Sequence, residues 1–387
     1  MHATANWRPL ALGFRPFFLL GGLAAFVLIL LWLGTWHRAF SAAAYYGRVE
    51  WHAHEMLFGY TVAVVAGFLL TAVRNWTGRQ TPHGWALGFL ALLWLAGRLL
   101  PWIPGVPGGL TAAVDLAFLP ALAISLLPAL RGVENRANYL LPVILLGMAL
   151  ANGLMHLQAL GVAGTARLGM QWMMDLVLLL LLLIAGRVMP FFIRVAVQGA
   201  DPRTRPWVER GTFVFALVLM AAHLGGLHPE ITAVLFLVLA FLQAVRLAGW
   251  YHPGVWRIPI LWILVTGYAW LTLSLLLRAL ADAGLVALSP AEHAFTAGAI
   301  GVSTLGMMAR VTLGHTGRPM VPPRPMTWAF VLVNLAALVR VAGPLLYPSG
   351  YVFWILVAGI FWLTAFVIFL YHYTPMLLQA RVDGRPG

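Results

Sequence analysis

Histidines in apolar surroundings are the residues of this chain with the clearest chemical potential. The chain has 12 histidines. Seven of them lie toward the same predicted side of the apolar segments, namely His37, His52, His54, His156, His223, His228 and His293. Imidazole is costly to place at membrane depth without a partner, and neutral imidazole is a common ligand of haem iron and copper. With the loop residues set aside, His52, His54, His156 and His293 form the core of a predicted metal centre.

An internal repeat relates two of these histidines. A shift of 239 residues places His54 on His293, and it also places Thr77-Gly78-Arg79 on Thr316-Gly317-Arg318. Equivalent histidines on two related helices can face each other, which is the arrangement that a bis-histidine haem or a shared metal ion requires. The repeat therefore predicts His54 and His293 as cofactor ligands.

Helical spacing separates His52 from His54. Two residues that are two positions apart on a helix point in directions about 200° apart. Either His52 precedes the first helical turn, or the two rings serve different centres, one haem and the other copper. Glu55 follows His52 by three residues, so it is predicted to orient that ring, to relay protons or to stabilise the start of the helix.

Three other side chains in apolar segments are candidates for the same centre. His156 and Asn152 lie one helical turn apart, which predicts a polar stripe that faces the helix bundle and a ligand role for His156. Asp115 and Asp175 are predicted to relay protons, to pair with arginine or to fix helix packing. We take Glu55 and Asp175 as the candidate catalytic residues.

Arginines within the apolar segments have comparable alternatives. Arg98 and Arg340 are candidate partners of the buried carboxylates. Arg98 also has the planar fork that suits a haem propionate, or it reaches the headgroups with its charged end. Arg310 and His315 belong near the opposite side, where the sequence predicts an inner gate, a second metal site with His315 as ligand, or a helix cap.

The composition identifies an integral membrane protein. Of 387 residues, 62% are hydrophobic and 9% are charged, whereas about a quarter are charged in soluble domains. The net charge of +13 comes from arginines dispersed among loops, so nucleic-acid binding is not expected. Cysteine is absent, which excludes disulfides and thiolate metal sites and leaves histidine, methionine and carboxylate as metal ligands.

Apolar runs between polar or Pro/Gly-rich breaks predict an all-α polytopic protein with about twelve transmembrane helices in one domain, residues 1–387. The predicted spans are 17–37, 52–76, 84–103, 110–130, 138–160, 166–198, 208–227, 230–249, 256–281, 291–313, 326–347 and 351–378. Most arginines then fall on the side of both termini, which predicts a cytoplasmic N-terminus and C-terminus. The histidine centre is expected on the opposite, periplasmic side.

The sequence resembles the NnrS family of bacterial membrane proteins. The resemblance rests on motifs spread over nearly the whole chain: Phe14-Arg15-Pro16-Phe17-Phe18, residues 51–59 with His-Ala-His-Glu, residues 66–73, Asn75-Trp76-Thr77-Gly78, residues 95–98, Asn152 with His156, residues 186–192, 293–310, 313–319 with Gly-His-Thr-Gly-Arg, and 381–387. The one large departure is Arg74, where the family pattern leads us to expect proline.

This resemblance implies a multi-pass protein of the bacterial inner membrane that contains b-type haem and copper. It also implies a role in the response to nitric oxide and nitrosative stress, often together with denitrification. It does not imply a defined reaction.

Three functions follow as hypotheses. The first is a haem- and copper-containing redox protein that binds, detoxifies or reduces nitric oxide or a related small molecule, with electrons from a quinol or another donor. The second is a transporter of an anion or metal ion, because twelve spans, a repeat and intramembrane arginines suit a transport path. The third is a haem-based sensor or assembly factor without turnover.

Overall fold

The computed structural model describes residues 7–36, 45–132 and 136–385, so His37 lies outside the described residues. Within these described residues, twelve helices are long and apolar enough to cross a membrane. We number them α1 (Phe14–Trp36), α2 (Arg48–Thr77), α3 (Gly84–Trp102), α4 (Gly108–Leu130), α5 (Ala137–Ala159), α6 (Ala166–Ala196), α7 (Pro206–Leu224), α8 (Pro229–Trp250), α9 (Pro259–Asp282), α10 (Leu288–His315), α11 (Arg324–Leu346) and α12 (Pro348–Leu378). The predicted fold class and helix count are confirmed.

Local sequence signals set the ends of several helices. Proline is the first residue of α7, α8 and α9, where its missing N–H leaves no intrahelical bond unmade and its fixed φ suits the first turn. At the other end of α2, Gly78 has a φ of 68° and its N–H donates to the carbonyl of Arg74. A glycine adopts this left-handed conformation without steric strain, and it therefore ends the helix cleanly.

Two helices share the same local departure from α-helical geometry. In α2 a π-helical segment, Glu55–Thr61, begins directly after His54. In α10 a π-helical segment, Ala294–Val302, begins directly after His293. π-Helical segments are rare in proteins, and those that occur often lie at functional sites. The internal repeat stays a prediction, but both histidines that it relates stand at the entry to a widened turn.

The chain divides into two compact units, which we describe separately. The first contains the part up to Leu176, Val311–Pro319 and the part from Phe369 onward. The second contains Val177–Arg310 and Met320–Ile368. The units are not successive halves of the sequence, because α6, α10 and α12 each contribute to both.

In the first unit, Arg15 holds the end of α12. Its Nη1 donates to the carbonyls of Met376, Leu377 and Gln379 at 3.3, 3.0 and 2.5 Å. The last carbonyls of a helix have no partner within the helix and carry its negative dipole end, so a cation is well placed there. The buried Arg15 thus ties the beginning of the chain to its last span.

In the second unit, Arg246 joins four helices. Its guanidinium donates to Glu209 of α7 at 2.9 and 2.7 Å. It also donates to Tyr268 of α9 at 3.1 Å and to the carbonyl of Leu182 in α6 at 3.3 Å. Since a buried charge is stable only when it is paired and hydrogen-bonded, this network holds α8 against its neighbours.

Replacing Arg15 with glutamine should destabilise the first unit. The substitution removes a charged donor from three carbonyls, so we expect the free energy of unfolding to fall by about 2 kcal/mol or more. The measurement is the melting temperature of purified protein followed by intrinsic tryptophan fluorescence. Arg8→Gln is the control, because its exposed side chain is changed while its backbone N–H still donates to Leu378. Equal melting temperatures of the two variants would contradict a capping role for Arg15.

Candidate metal centre

Two histidines and one aspartate meet inside the first unit. His54 of α2, Asp115 of α4 and His156 of α5 each offer one ligand atom, and these atoms lie within 4.8 Å of one another. All three side chains are buried, with 0%, 6% and 1% of their surface exposed. We call these residues the candidate triad. His54 and His156 are ligands that the sequence predicted. Asp115 was expected only to relay protons, to pair with arginine or to fix helix packing.

His54 is held in one orientation by its neighbours. Its Nδ1 lies 3.0 Å from Glu55 Oε1 and donates a hydrogen bond to it. Its Nε2 faces Asp115 Oδ2 at 3.2 Å and Asn152 Oδ1 at 2.9 Å, and the hydroxyl of Tyr46 at 3.0 Å. Neutral imidazole has a single N–H group, and in His54 that group donates its hydrogen bond to Glu55. The nitrogen that faces three oxygens therefore carries a lone pair unless a cation or a second proton is bound there.

His156 completes the triad from α5. Its Nε2 lies 2.9 Å from Asp115 Oδ2, and its Nδ1 lies 2.9 Å from the hydroxyl of Tyr45. The amide nitrogen of Asn152, one turn earlier on α5, donates to the same aspartate oxygen at 2.9 Å. The predicted polar stripe of α5 is confirmed, because Asn152 and His156 both meet Asp115.

Tyr45 and Tyr46 line the centre from the segment before α2. Burial and the negative charge of Asp115 raise the pKa of Tyr45 to about 12. The same two causes raise the pKa of Tyr46 well above its usual value. Both hydroxyls are therefore protonated at neutral pH, and they are available as neutral hydrogen-bond donors to the histidines.

Arg98 of α3 neutralises part of the centre. Its Nη2 donates to Asp115 Oδ1, and its Nη1 lies 3.3 Å from Glu55 Oε1. The structure thus selects Arg98 rather than Arg340 as the partner of Asp115. The alternative that Arg98 binds a propionate is not favoured, because two carboxylates of the protein already face its fork.

Two glycines make this pairing possible. A Cβ at Gly97 would lie 2.5 Å from Asp115 Oδ1 and 3.2 Å from the Cα of Asp115. A Cβ at Gly59 would lie 3.3 Å from the side chain of Arg98. Both glycines therefore permit close approach, Gly97 of α3 to α4 and Gly59 of α2 to Arg98.

The charges of the centre do not balance among these residues alone. Glu55 and Asp115 carry two negative charges when ionised, and Arg98 carries one positive charge. A buried charge without compensation is strongly unfavourable. A cation at the candidate triad, either a metal ion or a proton on a histidine, brings the net charge to zero or above.

The donor set suits a metal ion. Two imidazole nitrogens and one carboxylate oxygen are ligands that copper(II), zinc(II) and non-haem iron(II) accept. Ligand histidines in proteins usually donate their second N–H to a carboxylate or carbonyl, as His54 does to Glu55. The residues present therefore fit a single metal ion.

The same residues do not fit a haem on His54. An axial ligand must leave its nitrogen clear on the side of the iron, and the porphyrin spreads across that side. Around His54 Nε2 this space is taken by Tyr46, Asn152 and Asp115. The ring of His54 also stacks on Tyr46 and Phe58, with centroids 4.5 and 5.1 Å apart. The packing favours an ion here.

His52 lies apart from His54, although both belong to the α-helical start of α2. The ring of His52 stacks on Trp32 of α1, with centroids 4.2 Å apart and planes 11° apart. Glu55 contacts His54 rather than His52, so the expectation that it orients His52 is wrong. The helix is regular from His52 to Glu55, but the flexible Glu55 side chain is directed at its chain neighbour His54 and at Arg98.

His293 belongs to the second unit. Its Nδ1 lies 2.8 Å from the carbonyl of Ser289, one turn earlier on α10. A carbonyl only accepts, so Nδ1 carries the proton and Nε2 carries the lone pair. This is the state of a histidine that binds a metal or haem iron through Nε2, and the ligand role of His293 stays a prediction.

His315 lies at another end of the first unit. Its Nε2 accepts from the amide of Asn75 at 3.1 Å, and its ring lies within electrostatic range of Arg15, Arg74 and Arg381. Three nearby arginines disfavour a metal cation. The metal role of His315 stays a prediction that this environment does not favour.

Asp175 lies in α6, and the side-chain amide of Gln171 donates to it at 3.1 Å. The structure does not place Asp175 in the candidate triad, and its catalytic role stays a prediction.

The sequence interpretation missed Asp115 as a candidate ligand and missed both tyrosines. The available signals were a lone aspartate in an apolar span and a Tyr-Tyr pair just before the His-Ala-His-Glu motif.

Substituting Gly97 tests the close approach of α3 and α4. Gly97→Ala places a methyl group against Asp115, and we expect it to lower the free energy of unfolding by about 1–3 kcal/mol through overpacking. Gly153→Ala in α5 is the control, since its new methyl group meets only Leu116 at 3.9 Å. That change should be neutral or stabilising, because alanine favours the helix. Thermal unfolding separates the two, and equal effects would contradict the packing argument.

A comparison with known proteins places the chain in a family. A search among curated proteins found no significant match. The family model described as NnrS protein matches residues 8–381, which includes the candidate triad and His293. Since that match covers nearly all of the 387 residues, the chain belongs to the NnrS family.

Proposed function

We propose that this protein is a copper- and haem-containing membrane protein that binds and detoxifies nitric oxide, with copper at the candidate triad. The observation that carries the proposal is the buried convergence of His54, Asp115 and His156 within 4.8 Å. Membership of the NnrS family adds the link to the nitric oxide response. The location that accords with both is the bacterial inner membrane.

Each residue of the centre has a definite task in this proposal. His54, His156 and Asp115 hold the ion, and Glu55 fixes the ring of His54 through Nδ1. Arg98 holds Asp115 through Oδ1, so Oδ2 is left to face the histidines. When bound, copper supplies an electrophilic, one-electron redox centre.

Nitric oxide suits a centre with this burial. It is small, uncharged and apolar, so it reaches an intramembrane site through lipid without a polar channel. Charged or strongly hydrated molecules would lose their hydration on the same path. The site therefore favours a dissolved gas over an ionic substrate.

A reaction that reduces nitric oxide also needs protons and electrons. Glu55 Oε2 is buried without a hydrogen-bond partner among the described residues, and we assign Glu55 the role of proton relay in such a reaction. A quinol or another donor supplies the electrons in this proposal. His293, whose Nδ1 donates to the carbonyl of Ser289, would hold the haem, and a bound haem would supply an iron that accepts electrons and binds diatomic ligands.

The ligands of the ion are tested by metal analysis. His54→Ala and His156→Ala each remove one nitrogen donor, so purified variants should lose most of the copper that the wild-type protein binds. His83→Ala is the control, because His83 is exposed in a loop of the same unit and its Nδ1 bonds the carbonyl of Thr81. The measurements are copper per chain by mass spectrometry and the copper(II) electron paramagnetic resonance spectrum. Full copper content in both triad variants would overturn the assignment.

Replacing Glu55 with glutamine should weaken metal binding without removing a ligand. The change removes the negative charge beside His54 and replaces a carboxylate acceptor by a weaker amide oxygen, so the affinity for copper should fall by about 10–100-fold. Glu50→Gln on the same helix is the matched control. Competition with a copper chelator gives the affinities, and an unchanged value for Glu55→Gln would contradict the role of Glu55.

Nitric oxide binding separates this function from its alternatives. The wild-type absorption spectrum should contain b-type haem bands that shift on addition of nitric oxide, and nitric oxide should be consumed under reducing conditions. A spectral shift without consumption would favour a sensor or assembly factor. A metal-free, colourless protein that mediates uptake in proteoliposomes would favour a transporter.

A further inference from the structure

Arg340 is a buried arginine that forms no ion pair with a carboxylate of the described residues. It lies late in α11 of the second unit, and 8% of its surface is exposed. Its Nη2 donates to the hydroxyls of Ser289 and Tyr351, each at 3.1 Å. Its Nη1 is buried and has no hydrogen-bond partner. An unsatisfied charged donor is among the costliest features of a folded interior, so this nitrogen calls for an acceptor.

Comparison with Arg98 indicates what kind of acceptor is missing. Both arginines lie late in the helix that follows a histidine-bearing helix, α3 after α2 and α11 after α10. Arg98 faces Asp115 and Glu55. The 239-residue shift that relates the two histidines places Ala294 at the position of Glu55. Where Arg98 donates to a carboxylate, Arg340 donates to two neutral hydroxyls.

One glutamate lies within electrostatic range of Arg340 but does not satisfy it. The carboxylate of Glu292 acts on Arg340 at a distance and forms no hydrogen bond with Nη1. Glu292 lies 3.9 Å from Arg278, which also pairs with Asp282 at 3.0 Å. Its charge is thus shared with another arginine.

Arg340 and His293 both bond Ser289, Arg340 through the hydroxyl and His293 through the carbonyl. Ser289 and Tyr351 are half-buried, as is His293. His293 lies one turn after Ser289 on α10, and its Nδ1 donates to the carbonyl of Ser289. Two hydroxyls, one guanidinium N–H and a histidine with its lone pair on Nε2 thus belong to one end of the second unit.

We propose that Arg340, Ser289 and Tyr351 form an oxyanion site that takes a carboxylate-like group of a ligand beside His293. A planar oxyanion offers two acceptor oxygens, which match the fork of arginine better than a halide does. Two sources have this chemistry, the propionate of a haem held by His293 or a free small oxyanion. The site is separate from the candidate triad, and only its haem source rests on the proposed function.

The first arm of the test compares haemin with its dimethyl ester, whose propionates carry no charge. Protein from a haem-deficient host is titrated with each, and binding is followed by absorbance. A propionate at Arg340 gives the wild-type protein about tenfold tighter binding of haemin than of the ester, and Arg340→Gln loses that preference. Arg278→Gln is the control, since Arg278 already has Asp282 as its partner.

The second arm uses sodium acetate against sodium chloride at equal ionic strength, without haem. A free oxyanion in the site raises the melting temperature of the wild-type protein in acetate, and Arg340→Gln removes the rise. If Arg340→Gln does not fold, the haemin titration and the acetate experiment are both made on Arg340→Lys and Ser289→Ala instead. Unchanged haemin preference and unchanged acetate response in the folded variants overturn the proposal. Copper content at the triad is measured alongside, so a failure of the proposed copper centre is recognised independently.

Discussion

The ion pair between Arg98 and Asp115 is the interaction on which the centre of the first unit depends. Charges inside an apolar helix bundle are stable only with a counter-charge and hydrogen bonds. Arg98 supplies both to Asp115 through one carboxylate oxygen and also approaches Glu55. The other oxygen of Asp115 is then directed at two histidines. One pair thus connects α2, α3, α4 and α5 and determines where the imidazole nitrogens converge.

This constraint explains why small residues border such a polar centre. Gly97 allows α4 to bring Asp115 against α3, and Gly59 leaves space for the arginine beside α2. Glu55, the residue directly after His54, meets the same histidine that Asp115 faces. Backbone geometry and charge pairing therefore act together, because a carboxylate displaced by even one methyl group would no longer meet both its cation and the histidines.

The buried arginines of the two units have different kinds of hydrogen-bond partner. Arg98 has carboxylates of the protein, whereas Arg340 has two hydroxyls and one unpartnered nitrogen. The first arrangement is closed and suits a small cation. The second has no carboxylate hydrogen-bonded to its arginine among the described residues, and it suits an anionic group. In the function proposed above, this difference assigns the ion to the first unit and the larger, carboxylate-bearing cofactor to the second.

The sequence by itself determined the twelve spans and identified His54 and His156 as polar exceptions within them. Apolar length is a property of one segment, and a histidine in such a segment needs a partner wherever it lies. Only the tertiary structure decided that Asp115 joins these histidines, that Arg98 is its partner and that Tyr46 lines the centre. Those choices depend on which helices pack together and how they are rotated, and the π-helical turn after His54 changes that rotation. Residue spacing along a helix does not tell which neighbour a flexible side chain contacts, and in the fold Glu55 meets His54 and Arg98 rather than His52.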